Sequence, residues 1–183
     1  MGTRKHIIDV ARNLFSEYSY LGVSMSDIAK KLNITKAALY YHFTGKVELY
    51  TEVLNEAFGD LSLSVSEVFN EKTVDKRLHK LIKNYLDFGL KEKNLVKSVM
   101  LKLSPTNTQI RKHIVQLKKQ RVDLIYPVIE EMFADNRVKK IVNKELLVSL
   151  LIGTMDGLIL EYSFLNKKIR SDKVADQIVE VLL

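Results

Sequence analysis

Residues 24–46 read SMSDIAKKLNITKAALYYHFTGK, and this stretch decides the fold. Its opening, Ser24-Met25-Ser26-Asp27, is a capping box with Asp in place of the usual Glu, so a short helix starts here carrying Ile28, Ala29 and Leu32. Asn33 tolerates the left-handed conformation that ends a helix. Thr35 is then a candidate N-cap for a second short helix, Lys36 to Phe43, which Thr44-Gly45 breaks. Two short helices separated by a tight turn, behind a longer one, make a helix-turn-helix candidate.

At ~100° per residue, Leu39 and Phe43 fall on one side of the second short helix, facing Ile28, Ala29 and Leu32. Ala37, Tyr41 and Thr44 fall opposite, with Lys36, Tyr40 and His42 on the flanks. The outward face is small near its N-terminus and rimmed by hydroxyl, cationic and imidazole groups, which suits base edges and phosphates. Lys46 begins the next helix, where its ammonium and the helix's first amides are placed to meet a phosphate together. The competing reading makes residues 39–43 an aromatic packing cluster of a helical bundle. Two adjacent Tyr and a His cannot all face one interior from a single turn, so some of them must be exposed.

Outward from this stretch, nearly every segment keeps a helical period. Residues 4–18 align Ile7, Ile8, Ala11, Leu14, Phe15 and Tyr18. Lys46 to about Phe69 forms a long helix of roughly 35 Å. Residues 75–89 follow, then a shorter segment from Leu95 to Leu103 that Ser104-Pro105 stops. Residues 107–134 hold Pro127 inside, where a kink or break is expected. Residues 146–165 and 172–183 complete the chain. The chain has 183 residues, two Pro and seven Gly, too few turn formers for a many-turned β fold, and it is expected to be all-α with about nine helices.

The absence of Cys excludes disulfides, thiolate metal sites and cysteine nucleophiles. The four His (His6, His42, His79 and His113) form no ligand-spaced pair, so no metal and no cofactor are expected. The net charge of +7 invites an anionic partner, but its placement matters more than its sum. Residues 1–50 hold seven basic and four acidic side chains, whereas residues 72–121 hold fourteen and three. The N-terminus has no apolar signal-peptide core, and His6 stands where a myristoylation signal wants Ser or Thr. Residues 146–165 are long enough to span a bilayer but contain Asp156 and Glu161, so a cytoplasmic protein with no membrane partner is expected. Those two carboxylates are turned roughly 140° apart on a helix and do not face one substrate. With no nucleophile elbow, phosphate loop or zinc motif either, no enzyme is expected.

Ser24 to Lys46, followed by Glu48-Leu49, resembles the DNA-binding signature of the TetR family of transcriptional regulators. Asp27-Ile28-Ala29, the Leu39–Phe43 run and Lys46 with Leu49 arrive in register without a gap. Three positions depart from the pattern: Ser19 and Asn33 stand where the family usually has Gly, and Ala37 replaces a common Gly at the start of the recognition helix. The resemblance implies an N-terminal three-helix DNA-binding domain over residues 1–46, a long helix connecting from 46, and an effector-binding and dimerisation domain over 47–183. It also implies a DNA surface of Ser24, Thr35, Lys36, Ala37, Tyr40, Tyr41, His42 and Lys46. Lys46, Ser24 and Tyr40 are expected mainly on phosphates, Lys36, Ala37 and Tyr41 nearest the bases, and His42 on either.

The helix over 146–165 is apolar on two sides and must be covered on both. One line runs through Leu146, Leu150, Gly153, Gly157, Glu161 and Phe164, the other through Val148, Ile152, Met155, Ile159 and Tyr162. Gly153 and Gly157 allow close helix approach, and Ile178 and Leu182 belong to a companion stripe together with Val174 and Val179. A four-helix homodimer interface through Leu150, Gly153, Gly157, Phe164, Ile178 and Leu182 follows, with a central helix of a monomeric bundle as the alternative. The resemblance implies an apolar effector cavity in this part. Its candidate polar groups are Tyr85, His113, Tyr126, Asp156 and Tyr162, each of which also reads as a satisfied core or interface residue. The basic stretch at 72–121 suits an anionic effector such as an acyl thioester or carboxylate, but solvated helix faces are its plainer explanation. The function expected is a ligand-responsive repressor, a homodimer that a small-molecule effector releases from a pseudo-palindromic double-stranded operator. The alternative is a ligand-independent DNA-binding protein or an activator of the same fold.

Overall fold

Several helix starts fall where a short polar side chain satisfies the backbone, as at Ser24, Thr35 and Thr73. In a computed structural model, which describes residues 3–101, 107–136, 143–165 and 167–183, α1 spans Thr3–Tyr18, α2 Met25–Lys31, α3 Lys36–His42 and α4 Lys46–Ser66. A 3-10 turn (Glu67–Asn70) precedes α5 (Val74–Lys91), α6 (Lys93–Leu101), α7 (Thr108–Ala134), α8 (Lys144–Leu165) and α9 (Ser171–Leu182). Among the described residues there are nine α-helices and no strand. Leu103 and the stop at Ser104-Pro105 lie outside the described residues.

Two of the departures from the family pattern become geometry here. Ser19 just past α1 and Asn33 just past α2 take φ of 63° and 53°, the left-handed region in which glycine is at ease. Two expectations need correction. Of the kink or break expected at Pro127, the break is absent, and α7 runs on through it. Proline removes the N–H that would bond the Asp123 carbonyl, but both residues are on the exposed side, where water can take that carbonyl. The long helix stops at Ser66, about 31 Å from its start, and its last expected turn tightens into the 3-10 segment.

The chain packs as two units. Residues 1–59 and 94–117 form one, and residues 60–93 and 118–183 the other. The first unit therefore extends past residue 46 and takes in most of α6 and the start of α7. Its interior holds Ile7, Ala11, Phe15, Ile28, Leu39, Phe43, Leu49 and Val53, all essentially shut from water. In the second unit α5 is the hub, packed against α8, α9 and the 3-10 turn. Leu78, Leu81, Ile82 and Leu86 on α5 are fully buried, and burial of each stabilises by about 1.5–3 kcal/mol. Gly89 lets α5 and α8 approach closely, since a Cβ there would lie 2.1 Å from Ile159 Cδ1.

The two lines drawn on α8 separate cleanly. Leu146, Leu150, Gly153, Gly157, Glu161 and Phe164 are all exposed. Val148, Ile152, Met155 and Ile159 are buried. By length and composition α8 is the one described helix that could cross a bilayer. Its inner side instead carries Asp156 into the packed second unit.

Candidate nucleic-acid interface and effector site

The helix pair α2–α3 is set by its two caps. Asp27 N–H donates to Ser24 Oγ at 3.2 Å, while Ser24 N–H and Oγ–H donate back to Asp27 Oδ2 at 2.8 and 2.6 Å. The Ser24 hydroxyl and amide hold the Asp27 carboxyl below the usual carboxylate range. Ala38 N–H donates to Thr35 Oγ1 at 3.1 Å, which fixes the start of α3. The Ser24 and Thr35 hydroxyls expected at the DNA surface are therefore engaged as caps, on residues that remain exposed.

On α3 the rotation worked out from spacing holds. Leu39 and Phe43 are buried, whereas Lys36, Ala37, Tyr40 and Tyr41 are exposed, Tyr41 at 86%. The half-buried His42 ring meets Tyr41 edge-on at 5.2 Å and 82°. Behind the helix, the Arg4 guanidinium lies 4.7 Å over the Phe43 ring and bonds Glu52 of α4 at 3.4 Å. The outward face is thus a ridge of one methyl, two phenols and an ammonium, backed by a rigid aromatic anchor.

Lys46 is placed differently from its neighbours. Its Nζ donates to the Tyr20 and Val23 carbonyls, both at 2.8 Å, and sits 4.3 Å over the Tyr20 ring. Burial pushes its ammonium below the usual lysine range, and the nearby Asp27 charge partly opposes this. Tyr20 packs in turn against Tyr50 with the rings tilted at 51° and 4.8 Å apart, and Tyr50 meets Phe15 edge-on at 5.0 Å. The first turn of α4 also holds its own carboxylate: Thr44 N–H and Oγ1–H both donate to Glu48 Oε2 at 2.6 Å.

In the second unit, two of the five candidate effector residues come together. Tyr85 Oη donates to Asp156 Oδ1 at 2.7 Å. Arg121, on α7, places Nη1 2.7 Å from Tyr85 Oη and 3.0 and 2.9 Å from the two Asp156 oxygens. Tyr85 is 3% and Asp156 8% exposed. Burial drives the Tyr85 phenol far above its ordinary range, and Arg121 opposes that shift. Arg121 Nε–H is closed off from water and has no acceptor. Sequence reading missed Arg121 because it closes the run Lys118-Lys119-Gln120-Arg121, which looks like solvated cations.

The other three candidates lie elsewhere. Tyr126 Oη reaches out to Glu145 at 3.3 Å. Tyr162 is half-buried near the end of α8. His113 belongs to the first unit, and its Nε2 is buried without a partner. Carboxylates engage much of the basic face of α5: Lys80 pairs with Glu71 at 3.0 Å and Lys83 with Asp87 at 2.7 Å, and His79 Nε2 lies 3.0 Å from Asp176 Oδ1. A surface groove of about 420 Å³ runs along it, and Lys76, Lys80 and Lys83 line that groove. Of the interface candidates, Leu150, Gly153, Gly157 and Phe164 are exposed and Ile178 and Leu182 are half-buried. A Cβ added at Gly153 or Gly157 would meet nothing within 4 Å.

Residues 7–53 match the family described as bacterial regulatory proteins, tetR family, and residues 54–183 match the C-terminal region of YsiA-like protein. The chain is 24% identical over 182 residues to the HTH-type transcriptional repressor DhaR of Mycobacterium sp. (strain GP1), covering 98% of this chain and 92% of that one. The fold is shared with the fatty acid degradation regulator FadR from Bacillus halodurans, with a TM-score of 0.85, 19% identity and 99% and 95% of the two chains covered. It is also shared with the transcriptional regulator FadR from Bacillus subtilis in complex with stearoyl-CoA, with a TM-score of 0.82, 20% identity and 96% and 95% covered.

Proposed function

This chain belongs to the TetR family of bacterial regulatory proteins, and on that premise we propose that it is a cytoplasmic dimeric repressor whose operator binding is relieved by an acyl-coenzyme A. The observation that carries the DNA half is the rotation of α3. Its buried Leu39 and Phe43 hold Lys36, Ala37, Tyr40 and Tyr41 outward, with His42 beside Tyr41. Lys36 reaches base edges, the Ala37 methyl sits against a thymine methyl, and Tyr40 bonds phosphate. Two copies joined through the exposed line on α8 present two such helices to the half-sites of a pseudo-palindrome.

The effector half draws on the stearoyl-CoA carried by the FadR structure and on Tyr85, Arg121 and Asp156. A largely buried charge pair is costly to keep, and a ligand that engages or parts it changes the packing of α5, α7 and α8 together. The long helix α4 begins in the DNA-binding unit and ends in the other. Tilting it would separate the recognition helices from the half-site spacing.

The test is fluorescence anisotropy on a duplex that the full-length protein selects from random DNA, titrated with acyl-CoA of increasing chain length. Release of the duplex by one chain-length class at micromolar concentration is the expected result. Undiminished operator binding across the whole series would reject the acyl-CoA reading, and failure to select any duplex would reject the repressor itself.

A further inference from the structure

We infer that Lys46 acts on DNA recognition as a positioning residue, not as a phosphate contact: its ammonium ties the first turn of α4 to the α1–α2 turn and so sets the angle at which α2 and α3 meet DNA. Three observations carry this. Two of the three N–H donors of the ammonium are committed to Tyr20 O and Val23 O at 2.8 Å, and these carbonyls bracket the turn that leads into the α2 cap at Ser24. The Tyr20 ring covers the cation at 4.3 Å and is itself fixed on Tyr50, one turn further along α4. Lys46 and Tyr50 therefore grip the same residue from one face of α4. The third observation is electrostatic. The Glu48 carboxylate already occupies the start of α4, bonded to Thr44 N–H and Oγ1–H at 2.6 Å. A phosphate brought there would meet a like charge where a bare helix N-terminus would offer open amides.

Charge-assisted hydrogen bonds to carbonyls in a partly buried site outweigh neutral ones, and a cation held this way does not swing out freely. Ser19, at φ 63°, turns the chain so that the Tyr20 carbonyl and ring both face Lys46. The clasp lies wholly within the first packing unit. It shapes the base-reading surface without touching DNA.

The experiment measures binding of full-length protein to a selected duplex and to poly(dI-dC) over a range of salt. Both are done well below the unfolding temperature, with folding checked by circular dichroism. Lys46→Met is expected to weaken the selected duplex about tenfold or more and poly(dI-dC) little, with the slope of log affinity against log salt unchanged. Loss on both DNAs with the slope reduced by about one would identify a phosphate contact and overturn the proposal. Unchanged binding by folded Lys46→Met would reduce the clasp to a stability element and also overturn it. Tyr20→Leu keeps the lysine charge and provides the second arm. It is expected to lower the specific-to-nonspecific ratio in the same direction, whereas a phosphate-bound Lys46 would leave that ratio intact.

Discussion

Arg121 Nη1 lies 2.9 Å from Asp156 Oδ2 and 2.7 Å from Tyr85 Oη, so one guanidinium closes a polar knot between α5, α7 and α8. Removing one member leaves the other charge largely enclosed. Arg121→Ala or Asp156→Ala should each cost about 3 kcal/mol of unfolding free energy, read by urea denaturation. The triple replacement Arg121→Met, Asp156→Leu and Tyr85→Phe should recover most of it, because the charges leave together and no buried hydroxyl is left without its partners. Single variants within about 1 kcal/mol of the parent would mean that the pair is solvated.

The exposed line on α8 invites a second copy. Leu150 and Phe164 are 51% and 57% exposed, and the space beside Gly153 is open. Gly153→Leu adds a side chain whose Cβ meets nothing in its own protomer but which would block close helix approach. Sedimentation should show a dimer for the parent and a monomer for the variant, with thermal unfolding at high concentration lowered only by the lost association. A variant that stays dimeric places the interface elsewhere.

On the proposed docking of α3, base reading and backbone contact should separate by residue. Lys36→Ala should lose about 1–3 kcal/mol on the selected duplex and relax its sequence preference. Tyr40→Phe should weaken selected and nonspecific duplexes alike, since a phosphate carries no sequence information. Identical patterns for the two variants in competition binding would contradict this division of roles.

The Asp27 carboxyl has a depressed pKa in the folded protein because Ser24 donates to it. Below about pH 5 the unfolded chain therefore takes up protons before the folded one does, and stability falls with pH. The capping contribution is present at neutral pH and lost as pH drops through and below the ordinary carboxylate range. The gap in unfolding midpoint between the parent and Asp27→Asn should be widest near pH 7 and close toward pH 3. A gap that is constant with pH would mean that the charge on Asp27 contributes nothing.

Much of this was legible in the sequence because a helix converts spacing into direction. Leu39 and Phe43 inward, Tyr41 outward, and the two lines on α8 all follow from about 100° per residue. The caps at Ser24 and Thr35 were legible because capping is local. What was missed depends on partners that have no sequence signature. Nothing in Lys118–Arg121 distinguishes the one cation that turns inward to Asp156. The acceptors of Lys46 are backbone carbonyls, which every residue carries, so a motif that suggests a phosphate contact does not reveal them. Pro127 looked like a kink or break because the sequence alone does not show that Asp123, whose carbonyl it frees, lies on the exposed side.

Ser19 has a practical consequence. A serine at φ 63° costs about 1–2 kcal/mol that glycine would avoid, yet it restricts the chain more than glycine once the turn is made. The protein thus keeps a stiff joint where a loose one would be easier to fold. Ser19→Gly becomes a tuning screw for sensor engineering, since it softens the joint under the reading head while leaving every DNA-facing and effector-facing side chain in place.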